Sequence, residues 1–190
     1  PALILRGGSA VAASNTQAYA GFAHGNLVSL ALDTGNATWQ QALAMPEGVN
    51  DVENMIDIDA KPIVQEGVVY AVSYQGNIVA LNAITGTVLW QRAFSSYSDI
   101  ATDAKNLYAT DTKSYVWAFD QNTGSVLWHQ DALAWRNITG PVAMNNAIVV
   151  GDMEGMANVD QPPRLAGRNV SMLLSPLPAE QRVRKFTAHD

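Results

Sequence analysis

The segment GNIVALNAITGTVLWQR, residues 76–92, decides the fold of this chain. It joins an alternating apolar run to a Thr-Gly turn and then to a Trp four residues after the Gly. Two further segments, HGNLVSLALDTGNATWQQ (24–41) and KSYVWAFDQNTGSVLWHQ (113–130), align with it without gaps. The chain therefore repeats one structural unit, with the pairs Gly35/Trp39, Gly86/Trp90 and Gly124/Trp128.

The spacing of the repeats predicts a β-propeller. The Trp residues are 51 and 38 residues apart, and a period near 40 with internal alternation is typical of a repeating β-unit. Two shorter strands precede each copy, most clearly in KPIVQEGVVYAVS (61–73), and four strands in roughly 40 residues is the pattern of a propeller blade. We predict an all-β chain, a partial β-propeller of about three and a half four-stranded blades, at residues 9–42, 62–93, 98–131 and 139–155.

The repeated Trp and Gly residues are predicted to be structural. A Trp uses its large apolar area best by packing between adjacent blades, and a Gly supplies the positive φ of a tight turn. The triplet DTG (33–35) also matches the short motif of an aspartic protease, but it occupies the same place as two other Thr-Gly turns, so we interpret it as a turn. The predicted structural residues are Trp39, Trp90, Trp128, Gly35, Gly86 and Gly124.

Composition excludes several functional classes. The chain has 48% hydrophobic and 15% charged residues, which is typical of a globular protein. A net charge of −6 argues against nucleic-acid binding, which requires clustered Lys and Arg. Without Cys there is no disulfide and no thiolate nucleophile. The three His residues are far apart in sequence, so no metal site is predicted, and no glycine-rich phosphate loop is present.

The segment 156–190 differs from the repeats. It lacks the alternating pattern and the Thr-Gly-x-x-x-Trp signature. It carries five Lys or Arg and three Asp or Glu, whereas the preceding residues carry six and fourteen. We interpret it as a non-repeat tail of different origin, such as a frame change would produce.

Two stretches of the sequence carry a more specific family resemblance. The Gly-x-x-x-Trp signature itself resembles the pyrroloquinoline-quinone-type β-propellers. The stretches LILRGGSA (3–10) and DIDAKPIVQEGVVYAVSYQGNIVAL (57–81) narrow this likeness, over residues 3–155, to the BamB family. These are the propeller lipoproteins of the outer-membrane β-barrel assembly machinery of Gram-negative bacteria.

The resemblance implies a non-enzymatic scaffold without a cofactor or metal. It also implies eight blades, a lipid anchor at the N-terminus, the periplasmic face of the outer membrane, and binding to the POTRA domains of BamA, with unfolded outer-membrane proteins as further partners. The chain departs from the family in blade number and in residues 156–190. The enzymatic alternative is a fragment of a quinone-dependent dehydrogenase propeller, which lacks support because no Cys pair is present and three and a half blades do not enclose a central cofactor.

The predicted partner-binding site lies in two connections between blades. Residues 3–6 combine three apolar side chains with an Arg, and residues 46–62 form an unusually long connection with two acidic side chains. Long loops on a rigid scaffold commonly bind partners, and an apolar anchor with Arg and carboxylates is typical of a binding hot spot. By resemblance, the residues that contact BamA are Leu3, Leu5, Arg6, Asp57 and Asp59.

An incomplete propeller also has open ends. Propellers normally close, which protects the edges of their strands. The flank of blade one and the incomplete fourth blade are expected to expose apolar side chains and unpaired backbone groups. We therefore expect self-association, or packing of another copy or of the tail against an open end.

Overall fold

A computed structural model describes residues 9–43, 56–144 and 147–151, together with the backbone of two strands at 157–166 and 169–176. These residues form strands and turns and no helix, so this part of the chain contains no helix that could cross a membrane. The chain divides into two compact units, Pro1–Gly151 and Asp152–Asp190.

Three four-stranded antiparallel sheets follow one another along the first unit, and within each sheet the strands are adjacent in sequence order. They match the predicted blades, which confirms the all-β partial propeller. Blade one consists of β1 (Ala12–Ala13), β2 (Gln17–Phe22), β3 (Asn26–Ala31) and β4 (Ala37–Ala42). Blade two consists of β5 (Ile63–Gln65), β6 (Val68–Val72), β7 (Gly76–Asn82) and β8 (Val88–Phe94). Blade three consists of β9 (Ala101–Thr102), β10 (Asn106–Thr110), β11 (Val116–Asp120) and β12 (Val126–Gln130).

The fourth blade is represented by a two-stranded hairpin, β13 (Val142–Met144) and β14 (Ala147–Val149). Its two faces differ because side chains alternate along a strand. Ala143 and Ile148 pack against the core of blade three. The opposite face exposes Val142, Met144 and Val149, each by half or more of its surface. This is the uncovered apolar surface expected of an incomplete blade; self-association itself stays a prediction.

The second unit contains a longer hairpin, β15 (Ala157–Ala166) and β16 (Asn169–Pro176). No strand was predicted here, because the sequence lacks the alternating pattern. The pairing of the two strands is also irregular: the register between them shifts after Val159 and again after Gln161. Pro162 and Pro163 lie within the second irregular stretch, and neither can donate a backbone hydrogen bond.

The hydrophobic core lies between the blades. One cluster joins blades one and two through Tyr19, Leu27, Val79 and Leu81, and a second joins blades two and three. Strand β7 contributes to both, since Ile78 and Ala80 face the second cluster while Val79 and Leu81 face the first. This explains the continuous apolar run in the opening segment, because a strand buried on both faces does not alternate between apolar and polar residues.

The Thr-Gly turns close the last hairpin of each blade in the predicted way. Gly35, Gly86 and Gly124 have φ values of 70°, 72° and 66°, a region open to Gly at no steric cost. The side chains that bond the turn backbone stand four residues before the Gly. Asn82 Oδ1 accepts from the backbone N–H groups of Ile84 and Thr85, and Asp120 does the same in blade three.

Candidate partner-binding site

The segment that carries the two predicted acidic residues is inserted between blades one and two. Ile56, Ile58 and Ala60 are buried, and Ile58 belongs to the core cluster shared by these blades. The alternation of apolar and acidic residues over 56–60 therefore corresponds to an extended segment with its apolar side in the core. This burial makes the segment a rigid part of the scaffold.

Asp57 is more deeply placed than a solvated loop residue. Its side chain is only 4% exposed, and its Oδ1 accepts a hydrogen bond from the backbone N–H of His24 at 3.2 Å. Its backbone forms a bridge with Ala23 and accepts from the N–H of Tyr74 at 2.8 Å. Since His24 has a positive φ of 62°, the carboxylate stabilises a strained turn between β2 and β3.

Asp59 differs from Asp57 although the two are spaced alike. Its side chain is half-buried, so it is accessible from solvent. Residues spaced two apart point the same way from an extended segment, so the spacing alone predicts the same environment for both carboxylates. The structure places Asp57 inside and Asp59 nearer the surface, and both make further interactions. Of the two, Asp59 is the more exposed residue.

Gly21 on β2 brings the two predicted segments together. Its backbone N–H donates to Ser9 Oγ at 2.7 Å, and its carbonyl accepts from the Ser9 N–H at 3.3 Å. Ile58 packs so closely on the other side that a Cβ at position 21 would overlap its side chain. Ser9, which follows residues 3–6 in the sequence, and Ile58, which lies in the connection 46–62, thus meet on one residue. Leu3, Leu5 and Arg6 lie outside the described residues.

The predicted Trp contacts form two joints between blades. At the joint between blades one and two, Trp39 Nε1 donates to the carbonyl of Ala83 at 2.9 Å, and the indole lies on Gly86. At the joint between blades two and three, Trp90 Nε1 donates to the carbonyl of Gln121 at 2.7 Å, and the ring lies on Gly124. These two Trp residues pack between blades. Trp128 is 43% exposed, because no third Thr-Gly turn covers it among the described residues.

A Tyr on the second strand of each blade was missed by the sequence analysis. Its ring lies beside the repeated Trp, with centroid distances of 5.9, 6.3 and 6.0 Å, in the pairs Tyr19–Trp39, Tyr70–Trp90 and Tyr108–Trp128. In each blade a small residue on the intervening strand separates the two rings, namely Ser29, Ala80 and Ala118. The signal was available, since the Tyr stands twenty residues before the Trp in every repeat.

The described residues offer no group of three or more His, Asp or Glu side chains that could hold a metal ion. His24 lies in the turn between β2 and β3 with a positive φ. His129 stacks on Trp117, with ring centroids 4.7 Å apart. Asp33 lies exposed on its Thr-Gly turn. These side chains have local structural roles.

Comparison with known proteins assigns the chain to one family. The family profile described as "Outer membrane protein assembly factor BamB" matches residues 1–130. The protein of that name from Alkalilimnicola ehrlichii is 36% identical over 171 residues, which cover 89% of this chain and 45% of that protein. The crystal structure of BamB from Moraxella catarrhalis superposes with a TM-score of 0.75 at 29% identity, covering 82% of this chain and 47% of that one. The chain spans about half the length of the relatives it matches.

The propeller of a quinone enzyme is also similar, at the level of the fold alone. The quinohemoprotein alcohol dehydrogenase ADHIIG from Pseudomonas putida superposes with a TM-score of 0.55 at 15% identity, over 77% of this chain and 31% of the enzyme. Low identity over the shared blades gives the enzymatic alternative no further support.

Proposed function

The chain belongs to the BamB family of outer membrane protein assembly factors, and on this basis we propose that it contributes a docking surface for the POTRA domains of BamA. The role is that of a non-enzymatic adaptor at the periplasmic face of the outer membrane, in a protein held there by a lipid anchor. Unfolded outer-membrane proteins are further partners of this adaptor.

The meeting of two segments on Gly21 carries the proposal. Ser9 binds one side of Gly21 through two hydrogen bonds, and Ile58 packs against the other. Arg6 precedes Ser9 by three residues in the sequence, and Asp59 follows Ile58 directly. Arg6 and Asp59 therefore belong to two connections that meet beside Gly21, as a composite binding surface requires.

The two acidic residues have different roles in this proposal. Asp57 holds the segment 56–60 against the turn at His24, because its Oδ1 accepts a hydrogen bond from the His24 backbone N–H. Any contact of Asp57 with the partner depends on this buried position. Asp59 presents its carboxylate directly. Leu3 and Leu5 supply the apolar anchor and Arg6 the cation, a combination that binds through a desolvated centre with a charged rim.

Binding of purified POTRA domains to the chain, measured by calorimetry, tests the proposal. Arg6→Ala and Asp59→Ala should each weaken binding by about 1–3 kcal/mol, because removing one member of a charge pair that is desolvated in the complex leaves its partner unpaired. Asp33→Ala is the matched control, since it removes the same charge from an exposed turn of blade one. Equal affinity for the parent chain and both variants would show that the surface lies elsewhere.

A further inference from the structure

A cleft of about 300 Å³ lies between blades two and three, and we call it the β8–β11 cleft. One wall consists of residues 92–95, at the end of β8. The opposite wall, from blade three, consists of residues 111–113 with Trp117, Phe119 and Val126. Both blades have all four strands, so the cleft is not an open end of the arc. Its volume is at the lower end of the range of ligand pockets.

The β8–β11 cleft carries two exposed cations, in a chain whose net charge is −6. They are Arg92 and Lys113, and neither forms an ion pair with a carboxylate of the described residues. Arg92 Nε donates to the carbonyl of Gly124 at 2.8 Å, which fixes the guanidinium across the joint and uses one of its five N–H donors. An Arg that is held in position and has no acidic partner is suited to bind a carboxylate through two parallel hydrogen bonds.

Asp111 is the one carboxylate in the lining of the cleft, and its oxygens are engaged elsewhere. Its Oδ1 accepts from the backbone N–H groups of Lys113 at 2.8 Å and Tyr115 at 2.9 Å. Its Oδ2 accepts from Trp117 Nε1 at 3.0 Å, which fixes the position of the indole ring. Asp111 therefore shapes its own loop and orients a ring of the wall, while both cations stay available to a ligand.

The rest of the wall is aromatic. The ring of Phe94 meets those of Trp117 and Phe119 nearly edge-on, at centroid distances of 6.0 and 5.4 Å. Trp117 is half-buried, so part of its ring is open to the cleft. Fixed rings beside two cations favour a ligand that combines an aromatic group with an anion.

The cations and rings of this cleft are departures from the repeat. The positions of Arg92, Lys113, Trp117 and Phe119 correspond, at the joint between blades one and two, to Gln41, Gln75, Val79 and Leu81. Both joints nevertheless make the same contacts of a Trp with a carbonyl and a Gly. Since one joint is built without these charges and rings, the packing of blades does not require them.

We propose that the β8–β11 cleft binds an extended acidic segment of another polypeptide, in which an Asp or Glu lies two positions from an aromatic residue. Side chains two positions apart point the same way from an extended chain, so both enter the cleft together. The carboxylate pairs with Arg92 and Lys113, and the ring packs against Phe94 and Trp117.

The wall of the cleft favours a peptide over a small molecule. Four consecutive residues, 92–95, line it, so the backbone of this stretch borders the cleft as well as its side chains. Strand β8 is the edge strand of its sheet, and the backbone of an edge strand can pair with an extended chain. The segment 156–190 carries five Lys or Arg and three Asp or Glu, so its charge disfavours it as the occupant. Neither Asp57 nor Asp59 lines the cleft, so this site is separate from the proposed POTRA-binding surface.

The peptide Gly-Asp-Gly-Phe-Gly, with fluorescein at its N-terminus and an amidated C-terminus, tests the proposal against the full chain. Fluorescence anisotropy at low ionic strength measures its affinity, because exposed charges are least screened there. We expect saturable binding that Arg92→Gln and Lys113→Gln each weaken by about threefold to tenfold. Gln stands at both equivalent positions of the joint between blades one and two, so the repeat tolerates it. Lys105→Gln, the matched control, removes an exposed cation of blade three outside the cleft and should leave the affinity unchanged.

Changes in the peptide separate the two contacts without altering the fold of the chain. Asn in place of its Asp, and Ala in place of its Phe, should each weaken binding by about threefold or more. Trp117→Val installs the residue of blade two and should weaken binding of the parent peptide, with a smaller effect on the peptide that lacks the Phe. Asp59→Ala should have no effect on either peptide.

Three results would overturn the proposal. The first is absence of saturable binding, which occupation of the cleft by a second copy or by the chain itself would also produce. The second is equal affinity for the parent chain, Arg92→Gln and Lys113→Gln. The third is full retention of binding by the peptide that carries Asn, since the ring alone would then account for the contact.

Discussion

Trp90 donates its indole N–H to the carbonyl of Gln121 across the joint between blades two and three, at 2.7 Å. The side chain is 9% exposed and lies on Gly124. Trp90→Ala should lower the free energy of unfolding by about 3–5 kcal/mol, because it removes a buried ring and leaves a cavity. Trp128→Ala, at the equivalent but half-exposed position, should cost only about 1–2 kcal/mol. Urea unfolding of both variants checks the difference, and equal losses would contradict the role of the joint.

Two turn Gly residues allow the cost of backbone strain to be measured apart from the cost of disturbing a contact across a joint. Gly35 and Gly86 share a positive φ, but only Gly86 lies under a Trp. Gly35→Ala should cost about 1–2 kcal/mol, which is the strain of a left-handed residue. Gly86→Ala should cost about 1–3 kcal/mol more, because its Cβ meets the Trp39 ring at 2.6 Å. Thermal unfolding of the pair measures this increment, and its absence would show that the ring moves freely.

The burial of Asp57 predicts a loss of stability on its removal. Asp57→Ala leaves the backbone N–H of His24 without its acceptor, and should cost about 1–3 kcal/mol. Asp59→Ala removes the same charge from a half-buried position and should cost less. Comparison of the two melting curves tests this assignment. If Asp59→Ala proves the more destabilising change, the two roles are reversed.

Asp103 should make stability sensitive to acid. Burial acts to raise the pKa of its carboxyl, but hydrogen bonds from Tyr108 and from the backbone of Lys105 and Asn106 outweigh it and lower the pKa from 3.8 to about 2. A lowered pKa in the folded state stabilises the fold above pH 3.8, and this contribution is lost as the pH falls towards 2. Asp103→Asn should therefore lose less stability than the parent between pH 6 and pH 2.5. Identical pH profiles in urea unfolding would rule out a contribution from this carboxylate.

The repeat in the sequence predicted the blades because each Trp and each Gly meets a local requirement. A Gly in a turn is required only by the φ value at its own position. The alternation of apolar and polar residues along a β-strand can likewise be recognised within a single segment. The Tyr partners were equally periodic, but their meaning depends on a neighbour two strands away. Ser29, Ala80 and Ala118 are small because the Tyr and Trp rings meet over them, and no local pattern shows that requirement.

The sequence showed where the long connection lies, but not how deeply its two acidic residues are buried. The long connection and its acidic residues were evident from sequence, and Ser9 and Ile58 do meet on Gly21. The burial of Asp57 depends on the backbone N–H of His24, which lies 33 residues earlier in the chain. Such a requirement arises only when the blades are packed, so the spacing of the two carboxylates alone did not reveal it.

The joints act in one direction along the chain. Trp39 and Trp90 each reach forward to a carbonyl and a Gly of the following blade. If a later blade frays, the blade before it is left with a bare indole and an unpaired donor. If an earlier blade frays, its successor keeps an intact turn that merely becomes solvated. Unfolding that begins at the following blade should therefore cost more free energy than unfolding that begins at the preceding blade. The effect of one blade on its neighbour thus depends on the direction along the chain, although the blades are built alike.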